Sequence, residues 1–260
     1  MTFSKDKLDE IEEEFSREGW THIPGVLPPD FVEELLAGVK ELGEDPTTRE
    51  THNADSDWGF FRLFERTHLF RDMLVREPAI SIAEKILGKD CHLVNDGCVY
   101  NPPGHAHSGW HVDDNLYFPL PEEIPRFDSR IRIPNLIVNF QFMLTDVPSV
   151  EYGPTQVVPG SHYSGRRPDP PENPTFEGQG PVSVLCKAGD LYLQHGQLWH
   201  RGAPNTSDRR RCLYQVAYGD RRIAQRLFPN LNYQVPPHIL EGADERLLRV
   251  LGKHPVGYYG

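Results

Sequence analysis

His111-Val112-Asp113 is the segment of this sequence best suited to chemistry. Residues two apart on an extended chain point to one side, so this imidazole and this carboxylate can close on a single ion. By itself an H-x-D pair is better explained as a surface histidine beside a turn carboxylate. It gains meaning from a second cluster downstream: Gly189-Asp190-Leu191-Tyr192-Leu193, then Trp199-His200-Arg201-Gly202, then Pro204-Asn205 and Arg209-Arg210-Arg211. The order reads as a turn, a strand, a stretch reaching His200, a second turn and a strand returning from Arg211. Such a hairpin brings His200 and an arginine to one cavity.

Two imidazoles and one carboxylate on one face of an iron leave three positions open, the arrangement of non-haem Fe(II) oxygenases. Two neighbours compete for roles. His195 lies five residues before His200, so on one strand the two face opposite ways and only one meets the ion. The spacings to Gly189-Asp190 and to Arg211 favour His200 and leave His195 solvated or supporting. His105-x-His107-x3-His111 could be read as a zinc cluster, but it sits in a Pro-Gly loop and lacks a fourth ligand. Along the arginine run, alternation sends Arg210 to the face opposite Arg211.

These residues must be positioned by a β-rich core. From residue 91 the sequence breaks into short apolar and aromatic runs separated by Pro and Gly: 92–100, 136–144, 155–158, 182–185, 191–193 and 212–218. Such a series predicts a sandwich or jelly roll, hence a mainly β fold with flanking helices. Ahead of it the periodicity predicts helices over 6–17, from a cap at Asp30 to Gly43, and over 79–87 before Gly88, with a short strand at 20–23. A last helix is expected over 243–251. The expected organisation is a single domain over 1–260, with helical support in 1–90, a jelly-roll core in 91–219 and an extension in 220–260. The connections 114–134 and 163–180 have the length of lids or binding loops.

Composition narrows the partners. With 27 basic and 38 acidic residues the net charge is −11, which disfavours nucleic acid and anionic membranes. The charged stretch Met1 to Glu14 does not read as a signal peptide, and no apolar run is long enough to span a bilayer, so a cytoplasmic protein is expected. Cys91, Cys98, Cys186 and Cys212 contain no C-x-x-C pair and read as buried thiols in a reducing compartment.

Taken together, His111-x-Asp113, Gly153-Pro154-Thr155 running into Val158-Pro159-Gly160-Ser161-His162, Gly189-Asp190, His200 and an arginine eleven residues later resemble one family in order and spacing. It is the phytanoyl-CoA dioxygenase-like family of Fe(II)/2-oxoglutarate-dependent oxygenases. The Pro-Gly-Ser-His segment is the most specific local match, the likeness spans about residues 91–219, and Gly19-Trp20 before a helix fits the family's opening. The resemblance implies a double-stranded β-helix, a cupin-like jelly roll. It implies that His111, Asp113 and His200 bind Fe(II), that Arg211 holds the distal carboxylate of the cosubstrate 2-oxoglutarate, and that O2 is consumed with release of succinate and CO2. His162 has no metal role in it. Because relatives that halogenate lack the carboxylate, Asp113 implies hydroxylation or desaturation.

The chain departs from the family at two places: Gly202 where some members carry Ser, and Asn101 where some carry Lys. Thr155 and Gln141, on strands expected to line the cavity, are the candidates to replace the missing donors, beside Asn101 itself. These departures and the acidic charge argue against an acyl-CoA substrate. Aromatic residues in 58–64, among them Trp58 and Phe61, and Tyr117 and Phe118 in the long connection can reach the cavity mouth. They imply a small, largely apolar or ring-containing substrate of specialised metabolism, although 58–64 can equally pack the helices onto the barrel. The competing reading is a non-catalytic cupin-like metal-binding or sensing module, which has no need of Arg211.

Overall fold

Alternating side chains sort the strands of this computed structural model into a helix-packed face and a cavity face. The structure describes residues 1–45, 47, 59–105, 109–113, 115–225 and 233–254. Numbered in chain order, β1 (Trp20–Ile23), β2 (Gly59–Phe61), β3 (His92–Asn101), β4 (Ile137–Met143), β7 (Leu191–His195) and β9 (Arg211–Gly219) form a six-stranded sheet in the order β1-β7-β4-β9-β3-β2. The remaining strands, β5 (Thr155–Val157), β6 (Val182–Val184) and β8 (His200–Gly202), form a second sheet in the order β6-β5-β8. Every pairing is antiparallel.

On the outer face of the large sheet, Phe140, Phe142, Leu191, Leu193, Tyr214, Val216 and Tyr218 bury themselves against helices. Those helices are α1 (Lys5–Glu18), α2 (Pro29–Glu44) and α4 (Ala79–Leu87), which contribute Phe15, Leu35, Val39, Ile80 and Ala83. The alternate residues Val99, Met143, Tyr192 and Leu213 point inward and pack with Val157 and Val184 of the small sheet. Two antiparallel sheets closed over one interior, with helices on one outer side, make the jelly roll.

Local chemistry sets the element ends. Ser4 caps α1 by accepting from the Lys7 amide at 3.2 Å. Gly19 ends it in the left-handed region at φ 79°, and a Cβ there would lie 2.5 Å from His162 Nδ1. Only glycine meets both demands. Asp30 is not the cap of α2: Pro28 is, because Pro29 at the first helical position starts the helix earlier and leaves Asp30 in its first turn. The last helix is shorter than expected, Glu245–Val250, since Asp244 caps it through the Leu247 amide at 2.8 Å.

All four cysteines are free and buried. No helix among the described residues is long and apolar enough to cross a membrane.

Candidate active site

Between the two sheets the backbone itself brings His111 to His200. The two residues exchange main-chain hydrogen bonds of 3.0 Å in both directions, an isolated bridge that extends the small sheet beyond β8. Their rings lie 4.3 Å apart between centroids. The Asp113 amide donates to the Gly196 carbonyl at 3.1 Å, and Asp113 Oδ1 then lies 3.7 Å from His111 Nε2 and 3.1 Å from His200 Nε2. One ligand atom from each of the three lies within 4.8 Å of the others.

The surrounding hydrogen bonds decide which atoms stay available. Nδ1 of His111 and Nδ1 of His200 each lie 2.8 Å from a carbonyl, that of Gly109 and that of Leu198. A carbonyl only accepts, so each Nδ1 carries a proton and each Nε2 faces the shared space; once a metal takes the place of the proton that His200 Nε2 shares with Asp113 Oδ1, both Nε2 atoms offer it a lone pair. Asp113 Oδ2 accepts from Asn139 Nδ2 and, at 3.2 Å, from Gln194 Nε2. That leaves Oδ1 as the third donor atom. With a metal in place the set is two neutral imidazoles and a carboxylate with a fixed carboxylate plane, which fits a divalent iron.

The Asp113 side chain keeps 26% of its surface accessible. The protein packed around it opposes its charge, but the neighbouring His200 and His111 outweigh this and hold its pKa well below the usual carboxylate range. Burial likewise pushes His200 down, and Asp113 reverses the balance so that its pKa is raised.

At the other end of the cavity lies Arg211, 3% exposed. Its Nη2 donates to Thr155 Oγ1 at 2.7 Å, and that hydroxyl donates to Gln141 Oε1 at 3.2 Å. Its Nε has no partner and no described carboxylate faces it; burial pulls its pKa down to about 10. Neither neighbour lines the cavity: Arg209 stacks over Tyr152 and Arg210 over Tyr100.

Asn101 does not line this cavity: its amide donates to the His105 carbonyl at 3.0 Å, tying β3 to the following loop. Tyr117 and Phe118 do not line it either. They border a separate cavity of about 20 Å³, room for about one water. The reason is that the connection folds toward His162 and His195, where Leu120 N bonds the Gly165 carbonyl and Phe127 N the Tyr163 carbonyl. Phe61 does line the main cavity, of about 190 Å³, together with His111, Asp113, His200, Arg211, Thr155 and Gln141. Trp58 and His107 lie outside the described residues.

His195 is neither solvated nor part of the triad. It is 1% exposed, packed between Phe15 and His162. His162 supports the fold, its Nε2 donating to the Ser16 carbonyl at 3.2 Å. A further group, His22, Cys186 and Asp190, is close enough for an ion but chemically poor. Asp190 already accepts from His22 and from the amides of Gly25 and Lys187, each at 2.8 Å, and burial pushes the Cys186 thiol up to about 12. Asn139 and Gln194, which hold Asp113, were absent from the sequence reading. A carboxamide inside an otherwise apolar strand was the available signal, because a buried amide must find partners.

The profile of the phytanoyl-CoA dioxygenase (PhyH) family matches residues 15–212. The chain belongs to this family. The chain is thus an Fe(II)- and 2-oxoglutarate-dependent non-haem oxygenase. It is 25% identical to dioxygenase af480 of Aspergillus fumigatus, over 96% of this chain and 79% of that protein. It is 23% identical to L-proline trans-4-hydroxylase of Streptomyces griseoviridis, over 84% of this chain and 88% of the hydroxylase. Among solved structures, the epimerase SnoN in complex with Fe3+, alpha ketoglutarate and nogalamycin RO matches with a TM-score of 0.64 at 21% identity over 93% of both chains. HygX from Streptomyces hygroscopicus, with nickel and 2-oxoglutarate bound, matches with a TM-score of 0.61 at 16% identity, over 84% of this chain and 87% of that one. At such identities the structural likeness speaks for the jelly-roll fold.

Proposed function

We propose that His111, Asp113 and His200 hold the iron of this oxygenase, that Arg211 grips the distal carboxylate of 2-oxoglutarate, and that the chain hydroxylates or desaturates a small molecule. When bound, iron and 2-oxoglutarate supply the oxidation itself, with O2 consumed and succinate and CO2 released. The protein's part is geometric and electrostatic. The Gly109 and Leu198 carbonyls orient both imidazoles, Asn139 and Gln194 fix the Asp113 carboxylate, and Val99 and Leu213 give the cavity an apolar wall.

The observation that carries the reading is Arg211. A guanidinium 3% exposed with an unpartnered Nε and no facing carboxylate is costly unless an anion completes it. A planar fork matches a carboxylate with two parallel hydrogen bonds. A metal-binding module without turnover has no use for this group. Specialised metabolism is the setting this reading favours, in keeping with the nogalamycin pathway named for SnoN. A reducing, cytoplasmic location is supported by four free, buried thiols.

The test is Arg211→Lys. Lysine keeps the charge and loses the fork, so the KM for 2-oxoglutarate in a succinate-release assay should rise about 10- to 100-fold, the equivalent of roughly 1.5–3 kcal/mol. An unchanged KM would remove Arg211 from the cosubstrate site.

A further inference from the structure

Two rows of paired residues cross the cavity face of the large sheet. One runs Asn95–Ala217–Asn139–Gln194 and the other Gly97–Gln215–Gln141–Tyr192. Strands β4 and β7 supply carboxamides that are already committed: Asn139 and Gln194 to Asp113, and Gln141 to the Thr155 hydroxyl beside Arg211. On the β3 and β9 flank the same rows place Asn95 and Gln215, which also face the cavity. Neither is committed. Asn95 Oδ1 is shut off from solvent with no partner among the described residues, and the Gln215 side chain bonds to none of them. Neighbouring strands lie about 4.8 Å apart, so Asn95 stands roughly 10 Å across the sheet from Asn139, clear of the space at the triad.

Phe61 forms the wall between these two amides. Its ring lies on Gly97, where a Cβ would come within 2.9 Å of it, so glycine at this position lets the ring lie flat against the strand. Once Asp113 and Arg211 are assigned, Arg201 is the last charged residue besides the histidines in the described lining. Its guanidinium turns to the outer side of the small sheet, donating to Gln156 Oε1 at 2.7 Å and lying 5.1 Å from the Trp110 ring centre. The described groups left to read a substrate are two neutral carboxamides and an aromatic ring.

Resting on the iron and 2-oxoglutarate assignment above, we infer that the substrate is a neutral, ring-bearing molecule that presents a hydroxyl to Asn95 and Gln215 and lays its ring against Phe61. A buried amide oxygen without a partner selects a ligand that brings a donor and rejects one that does not. A substrate carboxylate would meet no opposite charge on this flank. Pure hydrocarbon would leave both amides unsatisfied. The hydroxyl requirement sharpens the expectation of a largely apolar or ring-containing substrate.

The experiment uses three matched probes, 1-tetralol, tetralin and tetralin-1-carboxylate, titrated calorimetrically without O2 into the protein loaded with Fe(II) and 2-oxoglutarate. The wild type should bind the alcohol about fivefold more tightly than either of the others, the scale of a buried neutral hydrogen bond. Asn95→Leu and Gln215→Leu should each shrink that preference. Equal, weaker or absent binding of the alcohol in the wild type overturns the inference, as does a preference that survives in both variants. The 2-oxoglutarate titration made while loading separates the two levels. A wild type that binds 2-oxoglutarate and shows no preference refutes the substrate class alone. One that fails to bind 2-oxoglutarate refutes the site assignment and this inference with it.

Discussion

His111 and His200 lie 4.3 Å apart with Asp113 beside them, whereas His162 and His195 lie 5.2 Å apart with no carboxylate in hydrogen-bond reach among the described residues. The pairs also differ in which nitrogen the backbone engages. In the first, carbonyls accept from both Nδ1 atoms and leave both Nε2 atoms facing Asp113 and the shared site. In the second, His195 Nδ1 accepts from the Gln197 amide at 2.9 Å, so its remaining nitrogen carries hydrogen, and His162 Nδ1 is pressed against Gly19. Burial pushes His162 down to about 3 and His195 down to about 4, the Asp113 charge raising His195 too little to offset it. Proximity of two imidazoles is therefore not sufficient for a metal site. A nearby carboxylate and the tautomer set by the main chain make the difference.

The most severe way to break the comparison is to make the first pair resemble the second. Asp113→Ala should weaken iron binding by more than about 100-fold, the upper end of what outer-sphere changes achieve, and abolish succinate release while circular dichroism stays native. His195→Gln should leave iron binding intact. Metal analysis of the two purified variants checks both, and iron retained in Asp113→Ala would refute the triad.

A smaller loss is expected from the residues behind the carboxylate. Asn139→Leu removes the donor to Asp113 Oδ2 and should lower iron affinity about 10- to 100-fold, read by competition with a chelator. If affinity is unchanged, Gln194 alone orients Asp113.

A separate effect, on stability rather than on iron, concerns the second pair and acid. Both pKa values lie below the ordinary 6.5, so between 6.5 and the folded value the unfolded chain binds more protons. Stability is then lost as pH falls through that window, by about 1.4 kcal/mol per pH unit for each group. Denaturant titrations from pH 7 to pH 4 should show a shallower decline for His162→Gln than for the wild type. Parallel curves would mean that His162 is already protonated in the folded state.

The sequence made the strands with a long alternating pattern legible, and it located the chemistry because His111, Asp113, His200 and Arg211 stand at telling intervals. It did not reveal β2 or β8, since both are short and hold none of the β-branched residues that mark the equally short β5 and β6. The helix α3 (His68–Met73) escaped because it too is short. Asn139 and Gln194 were hidden because their role depends on Asp113, a residue distant in sequence that folding brings under them. Tyr117 and Phe118 were misplaced because a connection's path is set by its tertiary hydrogen bonds rather than by its composition.

The central claim is tested most directly by diffraction at the iron absorption edge from crystals grown without O2 in the presence of Fe(II) and 2-oxoglutarate. The anomalous peak should fall roughly 2.0–2.2 Å from His111 Nε2, His200 Nε2 and Asp113 Oδ1, the distances typical of nitrogen and carboxylate ligands to a divalent metal, with a 2-oxoglutarate carboxylate paired to Arg211. A peak at His22, Cys186 and Asp190, or at His162 and His195, or a 2-oxoglutarate bound away from Arg211, would contradict the account.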